Sequence, residues 1–509
     1  MKTVITCLQW IRRGVAKAEP DKVVLSKEQL QSLIKCTKGQ LDDLEKDEVD
    51  KSEDDEDMLT SDNENGAQEE TEDGDLVQYD MNKYDQATSS SSSGITDTLA
   101  GLAIYAADED DPYITLKDAG SDTEADDIAI KSTDNILVVG RAEEDYSNLE
   151  IYVYNEEGGV FYVHHDLLLS SYPLALEWIQ GSTSGNMIAV GSMSPVIELW
   201  DLDLIDAIEP AFTLGQPKSK KKKTKTEKKE KKPKNGHAGA VLDLSSNRNF
   251  NHILASASAD ETIALWDLAT TQVASTLRHH KDKVQTIEWH ANEGHTLLSG
   301  GFDKIVNLYD CRDPDASCNS WNLNGEIERV LWNPSNTNTF LASTEDGFVY
   351  NLDVRLEKPV FTLKAHEKAV TGLALTSETH NCLTTVSADH FVKIWDITDD
   401  KPSLIISKDM KMGIMNCLGN NPDAPTVLAM GGENDGVRLL DLRTMPEVSK
   451  RFNLRTITKS VPDVSSNSIV SMEEEGDNVE VMERKPKKMN KSHQKEGKKK
   501  KKKKKGTNF

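Results

Sequence analysis

Histidine, a hydroxyl residue and aspartate recur together in this chain, and an aromatic residue follows each set. The sets are His237, Ser256, Asp260 and Trp266; His280, Ser299, Asp303 and Tyr309; and His366, Thr385, Asp389 and Trp395. In a hydrolase, such a histidine activates the hydroxyl and the aspartate orients the histidine. Catalytic residues are not repeated once per structural unit, whereas buried hydrogen-bond chains that stabilise a repeat are. We therefore interpret the sets as structural and expect no catalytic residue among them.

Short strands must position these sets, because each set spans a recurring pattern of apolar strand, tight turn and second strand. The pattern occupies residues 254–267, 297–310, 341–353 and 383–396. Its second strand ends at Trp266, Tyr309, Leu352 and Trp395, which are each 43 residues apart. A period of about 40–45 residues with a Trp-Asp ending is typical of a WD40 β-propeller blade.

Seven such strand ends predict an all-β, seven-bladed WD40-type β-propeller over residues 131–456. They are Tyr154, Trp200, Trp266, Tyr309, Leu352, Trp395 and Leu440. Blade seven has the weakest pattern, and its outer strand is predicted at 449–454. We expect residues 1–12 to supply the inner strand of blade one, since an open ring would leave aggregation-prone sheet edges. The alternative places this strand outside the ring and leaves blade one with three strands.

A long insertion, residues 13–130, separates that first strand from the rest of blade one. It begins with a predicted helix, in which Ser26 and Gln29 fit a capping box ahead of apolar residues at helical spacing. The acidic, apolar-poor sequence that follows predicts a largely disordered segment. Ser52 and Ser61 are candidate phosphorylation sites, because an acidic residue lies three positions after each.

Two lysine-rich segments stand apart from the acidic insertion. The first is the loop 215–236, which contains eleven lysines, and the second is the tail 457–509, which includes eight consecutive lysines. The loop is predicted to be solvated, and the tail is predicted to be disordered. Candidate contacts for nuclear import or for phosphate groups are Lys220, Lys221, Lys222, Lys223, Lys498, Lys499, Lys500 and Lys501. Neither lysine run has interleaved aromatic residues, so any RNA contact should be non-specific and salt-dependent.

Composition and motifs argue against several classes of protein. The formal net charge is −26, but the charges are segregated into blocks, so their positions are more informative than their sum. Six cysteines without a C-x-x-C pair favour a reduced intracellular protein. No signal peptide or membrane span is predicted, and we expect no membrane partner, cofactor or small-molecule substrate. The histidine pairs 164–165 and 279–280 should point to opposite faces of a strand, so no metal site is expected.

Several blocks of sequence are far more specific than the Trp-Asp repeat. They are ITCLQWIRRGVAKAEPDKVVLSKEQL, YDMNKYD, DPYITLKD, NILVVGRAEED, YVHHDLLLSSYPL, PVIELWDLD before the lysine-rich loop, and DGFVYNLDVR with KDMKMG. With these blocks, most of residues 1–445 resembles the periodic tryptophan protein 1 family of nucleolar WD-repeat proteins. The resemblance implies a nuclear and nucleolar protein of ribosome biogenesis, with links to RNA polymerase I transcription and chromatin.

Two functional hypotheses remain, and neither involves catalysis. In the first, the chain is a scaffold in rRNA transcription or pre-rRNA processing, and its partners are pre-ribosomal or RNA polymerase I-associated proteins. In the second, it is a chromatin-associated module that binds histones through a propeller face or the acidic segment and regulates transcription. The fold alone does not distinguish them, because propellers support many functions.

Overall fold

The computed structural model describes residues 3–22 and 128–455, apart from residues 145, 182–184, 217–235, 314–317, 377–378, 380, 400 and 435. Strands dominate these ranges. In the first half of the chain they are β1 (Val4–Ile11), β2 (Asp21–Lys22), β3 (Asn135–Ala142), β4 (Ser147–Asn155), β5 (Val160–Leu169), β6 (Pro173–Trp178), β7 (Met187–Ser192), β8 (Ile197–Asp201), β9 (Leu204–Ile205), β10 (Phe212–Leu214), β11 (Val241–Ser246), β12 (Ile253–Ser258), β13 (Ile263–Asp267) and β14 (Gln272–Leu277).

The second half continues the same pattern and ends in helical structure. Its strands are β15 (Val284–Trp289), β16 (Thr296–Gly301), β17 (Ile305–Asp310), β18 (Asn319–Asn322), β19 (Ile327–Trp332), β20 (Thr339–Thr344), β21 (Phe348–Asp353), β22 (Phe361–Lys364), β23 (Val370–Leu375), β24 (Cys382–Ser387), β25 (Phe391–Asp396), β26 (Ser403–Asp409), β27 (Met415–Asn420), β28 (Val427–Gly432) and β29 (Val437–Asp441). A 3-10 helix (Leu442–Thr444) and an α-helix, α1 (Pro446–Arg451), follow.

The strands form seven antiparallel sheets, and each sheet is one blade of the predicted seven-bladed propeller. From the centre outward, the blades are β1-β3-β4-β5, β6-β7-β8-β10, β11 to β14, β15 to β18, β19 to β22, β23 to β26 and β27 to β29. The second strand of a blade is covered on both faces by neighbouring blades, which explains why β7, β20, β24 and β28 are buried along their whole length. Their apolar side chains form the core between blades.

Blade seven differs from the prediction at its outer edge. The outer strand predicted at 449–454 is wrong, because residues 446–451 form helix α1. Pro446 occupies the first turn, where its missing N–H is tolerated, and Glu447 and Arg451 lie at the ends that suit their charges. Val448 is fully buried in the cluster that joins blades six and seven, and Arg451 forms an ion pair with Asp396. The helix therefore packs where a fourth strand was expected.

The ring closes through the N-terminal strand, as expected if residues 1–12 belong to blade one. One edge of β1 pairs with β3 over Val4–Ile11. The side chains of β1 also contact the strands of blade seven. Trp10 Nε1 donates to Gly419 O at 3.3 Å, and Asn416 Nδ2 donates to Ile5 O at 2.9 Å. Close packing supports these bonds, because a Cβ atom on Gly431 would lie 2.3 Å from the Ile5 side chain. The alternative, a strand outside the ring, is not observed.

The connections define two rims of the propeller. In an antiparallel meander, the first-to-second and third-to-fourth connections share one edge, here called the lower rim, and the other connections share the upper rim. Residues before the insertion cross the lower rim to blade two, where β2 pairs with β9. Ile130 N donates to Ala18 O at 2.9 Å, so the chain returns from the insertion beside the point where it left. The predicted helix and acidic segment lie outside the described residues.

Candidate functional site: the blade networks and the central channel

The His, Ser, Asp and Trp set of blade three forms one buried hydrogen-bond network. Trp266 Nε1 donates to Ser256 Oγ at 2.8 Å, and Ser256 Oγ lies 2.6 Å from His237 Nε2. The other ring nitrogen, His237 Nδ1, lies 3.4 Å from Asp260 Oδ2. Burial alone would raise the pKa of Asp260, but the hydrogen bond and charge of His237 lower it far below its usual value.

Blades four and six repeat the network with one change each. His280 Nε2 lies 2.6 Å from Ser299 Oγ, and its Nδ1 lies 3.0 Å from Asp303, while the Trp position is taken by Tyr309. In blade six the hydroxyl belongs to a threonine. His366 Nε2 lies 2.7 Å from Thr385 Oγ1, His366 Nδ1 lies 2.9 Å from Asp389, and Trp395 Nε1 donates to Thr385 Oγ1 at 3.1 Å.

These networks have the connectivity of a hydrolase triad but not its accessibility. Ser256, Ser299 and Thr385 are all fully buried, so no substrate carbonyl can approach their oxygens. In blades three and six, each hydroxyl is hydrogen-bonded to the histidine and to the tryptophan of its own network. The geometry therefore suits the structural role that we assigned to the sets.

The prediction that His164 and His165 point to opposite faces of a strand is wrong. Their Nδ1 atoms lie 2.8 Å apart, because a β-bulge opposite Ile151 and Tyr152 inserts an extra residue and breaks the alternation. His164 Nε2 also bonds to Ile128 O at 2.8 Å, where the chain returns from the insertion. Burial, with the neighbouring His164 ring, lowers the pKa of His165 to about 4. Among the described residues, no group of three or more His, Cys, Asp or Glu could hold a metal ion.

The inner strands surround a central channel whose lower half has a volume of about 520 Å³. Each inner strand carries a β-bulge at the same position, and the residue that ends the bulge lines the channel. These residues form an upper ring of Cys7, Ala175, Asp243, Thr286, Arg329, Gly372 and Cys417. Two residues further along, a lower ring consists of Gln9, Glu177, Ser245, Glu288, Leu331, Ala374 and Gly419. Our sequence reasoning missed both rings.

Polar residues of the rings also join neighbouring blades. Adjacent inner strands diverge too far for a backbone ladder, so side chains accept the buried N–H groups instead. Asp243 Oδ2 accepts from Ile287 N at 2.9 Å, and Ser245 Oγ accepts from Trp289 N at 3.1 Å. Each of these bonds spans 44 residues, close to the blade period. A polar residue that recurs near this period on an inner strand was the signal available in the sequence.

Two carboxylates of the lower ring make the same kind of bond. Glu288 Oε2 accepts from Trp332 N at 2.7 Å, and Glu177 Oε1 accepts from Ser246 N at 2.8 Å. Burial raises the pKa of Glu177 to about 7 and that of Glu288 to about 8. The negative charge of Asp243 adds to both shifts, and the charge of Glu177 adds to the shift of Glu288. Both groups therefore titrate near neutral pH.

These raised pKa values predict a pH-dependent stability. Glu288 has a higher pKa in the folded chain than in the unfolded chain, so its stabilising contribution is complete below about pH 4.5 and is lost as the pH rises towards 8. Glu288→Gln keeps an acceptor for Trp332 N without the charge. We expect the variant to raise the melting temperature over wild type at pH 8 and to leave it nearly unchanged at pH 5. Equal shifts at both pH values would contradict the assignment.

The ends of the lysine-rich loop meet on the upper rim. Gly215 and Gly236 have positive φ angles of 97° and 127°. A Cβ atom on Gly236 would lie 3.1 Å from Gly215 Cα and 3.4 Å from the Trp266 ring. The two ends thus touch each other over a buried tryptophan. Lys220 to Lys223, like Lys498 to Lys501 and the candidate phosphosites Ser52 and Ser61, lie outside the described residues.

This closeness predicts that the loop is dispensable for folding. After deletion of residues 218–234, the three residues 216, 217 and 235 connect Gly215 to Gly236. Three residues are enough for this connection, because Gly215 and Gly236 are already in contact. We expect the free energy of unfolding to change by less than about 0.5 kcal/mol, as for surface changes in general. Chemical denaturation of the shortened and complete chains measures this difference. A large loss of stability would show that the loop contributes to the packing of blades two and three.

The fold and the recurring networks define the class of protein, a WD-repeat β-propeller. The model of the WD domain, G-beta repeat, matches residues 228–267, 271–310 and 357–396, which are the repeats that contain the three networks. No helix among the described residues is long and apolar enough to cross a membrane.

Relatives that match most of the chain place it within this class. The chain is 35% identical to the periodic tryptophan protein 1 homolog of Drosophila melanogaster, over 84% of this chain and 92% of that protein. It is 32% identical to periodic tryptophan protein 1 of Saccharomyces cerevisiae, over 88% of this chain and 90% of that protein. The chain therefore belongs to the periodic tryptophan protein 1 family. A local match, 32% identical over 24% of the chain, is to a chromatin assembly factor 1 subunit from Gallus gallus, of which it covers 21%.

Proposed function

We propose that this protein is a nuclear and nucleolar scaffold of ribosome biogenesis, which acts in rRNA transcription or pre-rRNA processing through protein–protein contacts. The observation that carries the proposal is the extent of the family likeness. It covers 84% of this chain and 92% of the Drosophila relative, far more than the residues that the WD repeat model matches. The role in ribosome biogenesis is what the family resemblance implies.

The geometry supports a scaffold rather than an enzyme. The hydroxyls of the blade networks are sealed inside the blades, so they do not supply a nucleophile to a substrate. The rims, the channel and the charged segments remain as contact surfaces. Pre-ribosomal or RNA polymerase I-associated proteins would bind there. The lysine runs would direct nuclear import and add non-specific, salt-dependent contacts to RNA.

Depletion followed by complementation tests the proposal. Cells that lack the protein should accumulate less mature rRNA. The complete chain should restore it, and affinity purification from nuclei should recover pre-ribosomal or RNA polymerase I-associated proteins. A matched chain without residues 218–234 is expected to fold. Complementation with this chain therefore tests the effect of losing one lysine run while the propeller is retained. Normal rRNA levels after depletion would contradict the proposal.

The local likeness to the chromatin assembly factor 1 protein favours one second candidate, a histone-binding chromatin module. This likeness covers only a quarter of the chain, so we rank it below the first proposal. A pull-down with core histones at physiological salt distinguishes the two. Saturable histone binding by the purified protein, together with unchanged rRNA on depletion, would favour the chromatin role.

A further inference from the structure

The lower half of the central channel has two chemically different walls. Blades one to four contribute the polar members of the lower ring, and Glu177 and Glu288 are the charged ones. Blades five to seven contribute Leu331, Ala374 and Gly419, which have no side-chain polar atom. The channel therefore offers an acidic wall opposite an apolar wall at its opening on the lower rim.

The charges of this space do not balance. Asp243 lies 3.3 Å from Arg329 and is compensated by it. Glu177 and Glu288 have no ion pair within 4 Å among the described residues, and each uses one oxygen for a backbone N–H. Arg248 is the remaining nearby cation, and its charge acts on both carboxylates. It lies on the loop at the channel mouth and is exposed. When both glutamates are ionised, one positive charge is thus shared between two carboxylates.

Two further polar groups that line the channel lack a partner among the described residues. Trp289 is 6% exposed, and its indole N–H makes no hydrogen bond. The buried side-chain oxygen of Asn420 likewise has no donor. A buried acceptor without a donor is destabilising, so a bound group that supplied a donor to Asn420 would recover part of this cost. The Asn420 oxygen is an observation independent of the two carboxylates, whereas the Trp289 N–H needs an acceptor and does not bear on a cationic ligand.

We propose that the lower half of the channel binds an arginine side chain presented by a flexible basic segment of a partner protein. The guanidinium donates to Glu177 and Glu288, and the aliphatic stem lies against Leu331 and Ala374. Five N–H donors in a planar fork suit two carboxylates and the Asn420 oxygen. Guanidinium is also more weakly hydrated than ammonium, which favours it over lysine in a confined site.

This inference goes beyond the proposed scaffold function, because it assigns a site and a ligand chemistry that do not depend on rRNA. Arg248 then acts as an internal competitor. Its exposed side chain can move aside when the partner's guanidinium enters, which exchanges one cation for another at the channel mouth. The two hypotheses can fail separately. Absence of arginine binding would not contradict the role in rRNA production, and normal rRNA after depletion would not contradict the arginine site.

The site also predicts a pH dependence with a definite sign. The titratable and charged groups that face the two glutamates are Asp243, Arg248, His290, Arg329, Cys7 and Cys417. Burial raises the pKa of both thiols well above neutrality, so they remain protonated. An arginine ligand keeps its charge throughout. Binding requires ionised glutamates, so affinity should increase as the pH rises from 6 to 8.

Calorimetric titration of the complete chain with acetyl-Ala-Ala-Arg-Ala-Ala-amide tests the proposal. We expect saturable binding of one peptide per chain, stronger by at least about tenfold at pH 8 than at pH 6, because the ionised fraction of Glu177 alone, with a pKa of about 7, rises about tenfold over this range. Glu177→Gln and Glu288→Gln should each weaken binding about tenfold at pH 8 and flatten the pH profile. Arg248→Ala should strengthen binding. The exposed residue Glu357, changed to Gln, is the matched control and should leave binding unchanged.

The control peptides replace arginine with norleucine or with lysine, and each variant is first checked by its melting transition. Absence of saturable binding at pH 8 would overturn the proposal. Binding that survives both glutamine substitutions would also overturn it, because it would reflect general attraction to an acidic chain. Equal affinity for the lysine peptide would overturn the assignment of arginine.

Discussion

Removal of residues 1–12 is expected to abolish cooperative unfolding, because these residues supply the inner strand of blade one and the contact with blade seven. The deletion removes the pairing of β1 with β3 and four buried side chains, those of Ile5, Cys7, Trp10 and Ile11. Both sheet edges at the closure would then be open, which promotes aggregation. We expect the truncated chain to aggregate or to melt without a sharp transition.

A single substitution tests the same closure in a chain that still folds. Trp10 is 4% exposed, packs edge-on against Tyr154 and donates to Gly419 O. Trp10→Ala should lower the free energy of unfolding by about 3–5 kcal/mol, as for other buried aromatic residues. Val15, which is 38% exposed beyond the end of the strand, is the matched control and should change stability by less than about 0.5 kcal/mol when replaced by Ala.

Addition of a peptide to the truncated chain distinguishes two causes of its instability, the loss of ring closure and a general packing defect. The peptide of residues 1–12, supplied in excess to the truncated chain, should restore a cooperative transition, because it can refill the vacant strand position. Stability of the truncated chain equal to that of the complete chain would show that β1 does not close the ring.

Thr385→Val is expected to destabilise blade six by about 2–4 kcal/mol, although the two side chains have nearly the same shape. The hydroxyl of Thr385 bonds to His366 Nε2 and receives the indole N–H of Trp395. Its removal leaves both buried groups without a partner, and each costs about 1–3 kcal/mol. Denaturation monitored by tryptophan fluorescence measures the loss.

Thr385→Ser is the matched control, since it keeps the hydroxyl and removes one buried methyl group. It should cost about 1 kcal/mol. Blade three supports this expectation, because Ser256 fills the same position in an otherwise similar network. If the serine variant were less stable than the valine variant, packing would outweigh the hydrogen bonds and our interpretation of the networks would be wrong.

The parts of the structure that the sequence predicted best depend on local repetition. The strand ends from Trp266 to Trp395 follow a fixed period, and the same period carries the His, Asp and hydroxyl residues of each network. A strand, a turn and a strand are specified over some fifteen residues, so no distant contact is needed to recognise a blade. The seven-bladed fold and the family were therefore accessible from the sequence alone.

The errors arose where a distant or non-repeating contact decides the local structure. Helix α1 replaces a predicted strand because Val448 and Arg451 find partners in the cluster between blades six and seven. His164 and His165 share one side because of a bulge whose position depends on the register with β4. Neither register nor packing partner can be read from a short window of sequence.

By itself, the sequence determined the number of blades, the residues of the three buried networks and the family, because repetition and specific motifs encode them. Only the tertiary structure decided between the two placements of β1 and showed that the ends of the lysine-rich loop meet over Trp266 and that Glu177 and Glu288 face one channel. These three facts join residues from different blades, and their distances follow from the circular arrangement of the sheets. A periodic sequence specifies each blade, but only the closed ring brings seven inner strands together around one space.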